Sequence, residues 1–160
     1  VPTYANSNLD IPALGFDMNG IADRDGSIII DVGGDDEVAK ALGRYKPIFD
    51  RYDTQMLYVI NRCRYLTKEP EEALQLMYEI ENASGMKCTG IINNTNLGNE
   101  TDSEIIHRSV DYADKVCQAA GLPLVAVTAK DEYLDGIDKA YPIKVYVKKL
   151  WEEFGDEAGQ

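Results

Sequence analysis

The chain has 160 residues, and its 28 acidic residues outnumber its 16 basic ones, which gives a formal net charge of −12. This excess of acid excludes a broad nucleic-acid-binding surface, because neutralising phosphates requires clustered Lys and Arg, and it disfavours binding to an anionic membrane. No apolar run approaches the roughly 20 residues needed to span a bilayer. The length suits one domain with its own core, so we predict a single α/β domain over residues 1–160.

Four short and nearly all-apolar runs are typical of strands that are covered on both faces. They span residues 27–32, 56–60, 88–92 and 124–127. Residues 143–154 fit either a helix or a further strand, and the flanking Pro142 and Gly155 favour a helix.

Amphipathic segments between these runs predict helices over residues 36–42, 71–84 and 101–120. The last of these begins with a capping box, in which Thr101 is the N-cap and Glu104 the N3 residue. Gly85 and Gly121 follow the second and third helices, as glycines that end helices do. Strands that alternate with helices at this spacing predict right-handed crossovers and a parallel, Rossmann-like sheet with helices on both faces.

Three cysteines, Cys63, Cys88 and Cys117, are widely spaced and include no C-x-x-C pair. An odd and scattered set predicts free thiols, which are typical of a reducing cytosol, so we expect a cytoplasmic protein. The single histidine, His107, leaves little room for a histidine-based metal site or a Ser-His-Asp triad.

Ligands of open parallel sheets bind beyond the carboxyl ends of the strands, and Asp31 lies in this position with Gly33, Gly34 and Asp35 behind it. Asp31 could hold Mg²⁺ through a water. The two glycines would let the backbone approach a phosphate closely, and Asp35 could orient a water for attack on a phosphoryl group. The same residues also suit a glycine turn with acidic residues at the start of the next helix.

Asn93 and Asn94 follow the third predicted strand. An amide side chain offers both a donor and an acceptor, which suits the edge of a nucleobase. Asparagine also suits a plain turn, because it tolerates left-handed backbone conformations. Either of the two side chains could face a base.

The runs IIIDVGGD, VIN and TGIINNT, in this order, resemble the ParA/MinD/CobQ branch of the P-loop NTPases, to which the nitrogenase iron protein also belongs. The resemblance implies that Asp31 and Gly34 belong to a D-x-x-G switch, that Gly33 and Gly34 lie at the nucleotide, and that Asp31 acts with Mg²⁺. It also implies that Asp35 positions the attacking water and that Asn94 contacts adenine. Overall it implies a P-loop NTPase-type sheet, ATP and Mg²⁺ as cofactors, a nucleotide-dependent switch and a homodimer.

The chain departs from that family in one important respect. It contains no G-x-x-x-x-G-K-[ST] run, the loop whose backbone N–H groups hold the phosphates. We therefore expect a C-terminal portion of a larger ATPase that lacks the N-terminal P-loop strand and helix, and that by itself neither binds ATP tightly nor hydrolyses it. The alternative is a non-enzymatic α/β module that has lost its phosphate-binding loop and binds an unidentified protein partner.

Overall fold

A computed structural model of the protein describes residues 26–33 and 36–144. Within them, four strands form one sheet in the order β1-β2-β3-β4, and every neighbouring pair is parallel. The strands are β1 (Leu57–Ile60), β2 (Gly90–Asn93), β3 (Leu124–Ala129) and β4 (Ala140–Pro142). The predicted α/β class with a parallel, Rossmann-like sheet is confirmed.

The helices confirm the pattern read from the sequence. They are α1 (Asp36–Gly43), α2 (Lys46–Phe49), α3 (Pro70–Ser84) and α4 (Ser103–Ala120), and the short α2 is the one that was not predicted. Helix α3 begins after Glu69, whose backbone N–H donates to the Glu72 carboxylate at 3.0 Å. Gly85 and Gly121 end α3 and α4 with φ of 67° and 68°, a conformation that favours glycine. None of the described helices is long and apolar enough to cross a membrane.

The cap of α4 differs from the prediction. Asp102, and not Thr101, is the N-cap residue, because its Oδ1 accepts the backbone N–H of Ile105 at 2.8 Å. The Thr101 hydroxyl instead accepts the Leu97 N–H and donates to the Gly98 carbonyl, both at 2.8 Å. Thr101 therefore closes the turn before the helix, and its side chain is no longer available to cap the first helical turn.

The predicted strand over residues 27–32 is not formed. This segment has no regular secondary structure, and the exposed fractions of Ile28 and Ile29 are 48% and 95%. A parallel strand is stabilised by hydrogen bonds to a neighbouring strand, and no described strand pairs with this segment. An apolar, β-branched run shows strand propensity, but without such a partner the propensity does not produce a strand.

Helices α3 and α4 pack on one face of the sheet. The core between these helices and the sheet contains buried apolar residues from both strands and helices: Tyr58, Ile60, Ile91, Ala73, Met77, Ala113 and Val116. Helix α1 packs closely against α3, and its Ala39 belongs to the same core. The alternate strand residues Leu57, Val59 and Val125 are exposed on the opposite face. The sequence predicted helices on both faces of the sheet. In the described part of the chain, helices cover only one face.

The chain extends beyond β4 by two described residues, and the Ile143 N–H donates to the Ala129 carbonyl at 2.8 Å. Ile143 and Lys144 are therefore not helical, in contrast to the helix predicted over residues 143–154, and the remaining residues of that segment lie outside the described residues.

Candidate functional site

Polar side chains connect the carboxyl ends of β1 and β2. Asn61 directly follows β1, and its Oδ1 accepts the backbone N–H groups of Cys63 at 2.9 Å and Asn96 at 3.2 Å. Its Nδ2 donates to the Asn96 carbonyl at 3.1 Å. Beside it, the Thr95 hydroxyl accepts the Arg62 N–H at 3.1 Å. These bonds hold the two loops together, and the Asn61 amide is therefore engaged in structure.

Asn93 is fully buried and directed toward α4. Its Nδ2 donates to the Ser109 hydroxyl at 2.8 Å and to the Ser109 carbonyl at 3.1 Å. Its Oδ1 accepts the Thr95 hydroxyl at 2.7 Å and the Thr95 N–H at 3.2 Å. An amide has two donors and two acceptor positions, so Asn93 has no hydrogen-bonding capacity left for a ligand.

Asn94 is half-buried, and it continues the ladder because its N–H donates to the Ile60 carbonyl at 2.9 Å. Its side chain lies beside β3, where Oδ1 accepts the Thr128 hydroxyl at 2.9 Å. Among the described residues, no group accepts a hydrogen bond from Nδ2. Asn94 is thus oriented by one bond and retains donors, and of the two adjacent asparagines it is the one available to a ligand.

The phosphate-side candidates are not assembled with Asn94 in the described residues. Asp31 and Gly33 lie in the exposed part of residues 26–33, whereas Gly34 and Asp35 lie outside the described residues. No described hydrogen bond or ion pair joins Asp31 to the loops that follow β1, β2 or β3. The roles given to these four residues by resemblance therefore remain predictions.

The residues that the structure describes contain no group of three or more His, Cys, Asp or Glu side chains that could hold a metal ion. Mg²⁺ in nucleotide sites usually takes one or two carboxylates and completes its shell with phosphate oxygens and waters. The single carboxylate of Asp31 fits that pattern only as one ligand beside a bound nucleotide.

Thr128 is the site residue that the sequence interpretation missed. The predicted strand ended at Val127, one residue before it, whereas β3 continues to Ala129. A hydroxyl residue in an otherwise apolar segment, opposite an asparagine on the neighbouring strand, is the signal that could have identified it.

The described thiols and buried tyrosines show no sign of an activated nucleophile. All three cysteines are free, and burial raises the pKa of the Cys63 thiol despite the opposing charge of Arg62. Burial also raises the pKa of Tyr112 to about 12, and its hydroxyl donates to the Thr67 carbonyl at 2.6 Å. The Tyr58 hydroxyl donates similarly to the Ala73 carbonyl at 3.0 Å. Both tyrosines therefore tie core elements together.

Comparisons of the chain with protein-family models, with curated protein sequences and with solved structures found no match. The resemblance to the ParA/MinD/CobQ branch rests on the sequence motifs alone.

Proposed function

We propose that this chain is the base-binding part of a nucleotide-dependent switch ATPase that uses ATP and Mg²⁺. The observation that supports this most directly is the Asn94 side chain at the carboxyl end of β2, oriented by Thr128 and with its Nδ2 unengaged among the described residues. This edge of a parallel sheet is where ligands of such folds bind. The homodimer and the cytoplasmic location belong to the same proposal.

The chemistry of an amide favours adenine at this position. Adenine presents an acceptor at N7 beside a donor at N6, and asparagine matches this pair with Nδ2 and Oδ1. The Asn94 Oδ1 has a second lone pair besides the one used by Thr128. Guanine presents two acceptors, N7 and O6, at the same edge. One of them would face Oδ1, and ATP is therefore expected to bind better than GTP.

The phosphate side of the proposal assigns Gly33 and Gly34 to the nucleotide, Asp31 to the Mg²⁺ ion and Asp35 to the attacking water. Bound Mg²⁺ would neutralise charge on the phosphates. The phosphate-binding loop, which this chain does not contain, would have to come from another segment. Without it, the acidic residues around Asp31 and Asp35 disfavour a polyphosphate.

Isothermal titration of this chain with Mg-ATP tests the phosphate side. We expect no binding in the micromolar range and no release of phosphate. Micromolar affinity or turnover by this chain alone would contradict the proposal, because it would show that a separate phosphate-binding loop is not needed.

A nuclear magnetic resonance titration with adenosine at millimolar concentration tests the base side. We expect the side-chain amide resonances of Asn94 to shift with adenosine and to shift less with guanosine. Asn94→Ala should abolish the saturable shifts of neighbouring backbone amides, whereas Asn82→Ala, at an exposed position of α3, should not. Adenosine-dependent shifts that survive Asn94→Ala would rule out the assigned contact.

The alternative of a non-enzymatic interaction module is favoured by the missing phosphate-binding motif and by the exposed apolar residues on one sheet face. The open reading frame upstream of Val1 distinguishes the two functions. A G-x-x-x-x-G-K-[ST] run there favours the ATPase, and a natural start codon at this point favours the module. In a protein with that loop, Asp35→Asn should abolish turnover and preserve ATP binding.

A further inference from the structure

One face of the sheet carries exposed apolar side chains across its whole width. We call it the open face, and it consists of Leu57, Val59, Ile92, Val125 and Tyr141. Val59 pairs with Ile92 across β1 and β2, and Tyr141 pairs with Thr128 across β3 and β4. Ile92 is half-buried. The other four side chains are more exposed: Leu57 by 36%, Val59 by 54%, Val125 by 45% and Tyr141 by 63%.

Gly90 shows that the open face is continuous across the first three strands. A Cβ atom placed on Gly90 would lie 2.6 Å from Val125 Cγ2 and 3.4 Å from Leu57 Cδ2. Side chains of β1 and β3 thus approach each other over the glycine of β2. The result is an apolar surface that extends over neighbouring strands, in contrast to single exposed residues, which need no explanation.

All-parallel sheets occur almost only with both faces covered. Helices α3 and α4 bury the other face, where Ile60 and Ile91 are at most 1% exposed. The open face therefore calls for a cover that the described residues do not supply.

We propose that residues 145–154 form an amphipathic helix that covers the open face of the same chain. The chain leaves the sheet at the edge of this face, since Tyr141 belongs to it and Ile143 continues the ladder through its bond to the Ala129 carbonyl. Ile143 is itself 37% exposed. The segment that follows directly is thus tethered beside the surface, and it needs no long connection to reach it.

The sequence of this segment has the required pattern. Apolar residues recur at i, i+3, i+4 and i+7, the spacing of a helix with one apolar stripe: Val147, Leu150, Trp151 and Phe154. Lys148 and Glu152 fall on the opposite side of such a helix. Ten helical residues span about 15 Å, and four strands spaced about 4.8 Å apart span about 14 Å. The helix is long enough to cross all four strands.

Trp151 is the only tryptophan in the chain, and it lies on the apolar stripe, so its fluorescence reports the proposed contact directly. The full chain is excited at a wavelength that tyrosine does not absorb. We expect an emission maximum to the blue of that in the urea-unfolded protein, together with reduced quenching by acrylamide. Native emission at the wavelength of the unfolded protein would overturn the proposal.

Paired variants identify the surface that Trp151 contacts. Val59→Asp introduces a charge on the open face and should shift the emission to the red. Leu66→Asp introduces the same charge at a 69% exposed leucine in the turn after β1, away from the open face, and should leave the emission unchanged. Circular dichroism confirms that each variant is folded. If Val59→Asp does not fold, Val147→Asp on the segment itself must give the red shift.

Two results would overturn the proposal even if native Trp151 emission is blue-shifted. The first is that Val59→Asp and Val147→Asp both fold and leave the emission unchanged, which would show that Trp151 does not contact the open face. The second is a dimer in analytical ultracentrifugation whose dissociation on dilution shifts the emission to the red. In that case the cover would come from a second copy of the chain.

Discussion

Asn93 and Asn94 are adjacent in sequence, but their side chains lie on opposite sides of the sheet: Asn93 Nδ2 donates to the Ser109 hydroxyl of α4 at 2.8 Å, whereas Asn94 Oδ1 accepts the Thr128 hydroxyl of β3 at 2.9 Å. Successive residues of a strand point to opposite faces. One amide therefore belongs to the core, and the other is left at the edge where a ligand would bind.

The two asparagines should respond differently to truncation. Asn93→Ala is expected to lower the free energy of unfolding by about 3 kcal/mol, because it leaves the buried Thr95 N–H and hydroxyl without their acceptor and removes the donor to Ser109. Asn94→Ala, at a half-buried position, should cost less than about 1 kcal/mol. Urea denaturation followed by circular dichroism measures both. Equal losses for the two variants would contradict the assignment of Asn93 to structure.

Gly43→Ala should destabilise the protein, although Gly→Ala inside a helix is usually favourable by up to about 1 kcal/mol. A Cβ atom at Gly43 would lie 2.7 Å from the Ser84 carbonyl oxygen, so α1 and α3 would have to separate. We expect a loss of about 1 to 3 kcal/mol, as for other overpacked contacts. Thermal unfolding measures the change, and Arg44→Ala at the exposed next position is the control. A stabilised Gly43→Ala variant would show that the two helices are not in such close contact.

Glu81 is 7% exposed and accepts the Cys88 N–H at 2.8 Å, while Lys87 pairs with its other carboxylate oxygen. Glu81→Ala leaves the buried Cys88 N–H without an acceptor, and we expect a loss of about 2 to 3 kcal/mol. Glu81→Gln retains an acceptor oxygen and should cost less than about 1.5 kcal/mol, since the exposed Lys87 can turn to solvent. Chemical denaturation measures the unfolding free energy of both variants. Similar losses for Glu81→Ala and Glu81→Gln would show that the Glu81 charge, and not its hydrogen bond to Cys88, provides the stability.

Stability should decrease at alkaline pH. Burial, followed by the Glu81 charge, raises the pKa of Cys88 to about 11, and burial raises that of Tyr112 to about 12. These groups must stay protonated in the folded protein, whereas an unfolded thiol ionises near pH 8.5. Their stabilising contribution is complete below that pH and is lost as the pH rises through the folded pKa values. Urea midpoints from about pH 8 to pH 11 test this, and Cys88→Ala should reduce the decrease. A midpoint that stays constant or rises would contradict it.

The sequence by itself determined the helices and most of the strands. Apolar periodicity and end signals act within a few residues, and α3 and α4 accordingly occupy nearly the predicted ranges with their glycines in the predicted places. Runs of buried-type residues located β1, β2 and β3, and their alternation with helices gave the parallel sheet. The three-residue β4 lacks an apolar run and is defined by its pairing with β3.

Only the tertiary structure decided the features that depend on a residue distant in sequence, such as strand pairing, the choice of helix cap and side-chain hydrogen bonds. Residues 27–32 have strand propensity but no strand beside them among the described residues. Thr101 and Asp102 are both good capping residues, and the turn at Gly98 engages the first and leaves the second for α4. As adjacent asparagines, Asn93 and Asn94 are equally suited to face a base. The structure distinguishes them, because Asn93 bonds to Ser109 of α4 and Asn94 bonds to Thr128 of β3. Such choices depend on groups distant in sequence, whose positions become defined only when the sheet and its helices are packed together.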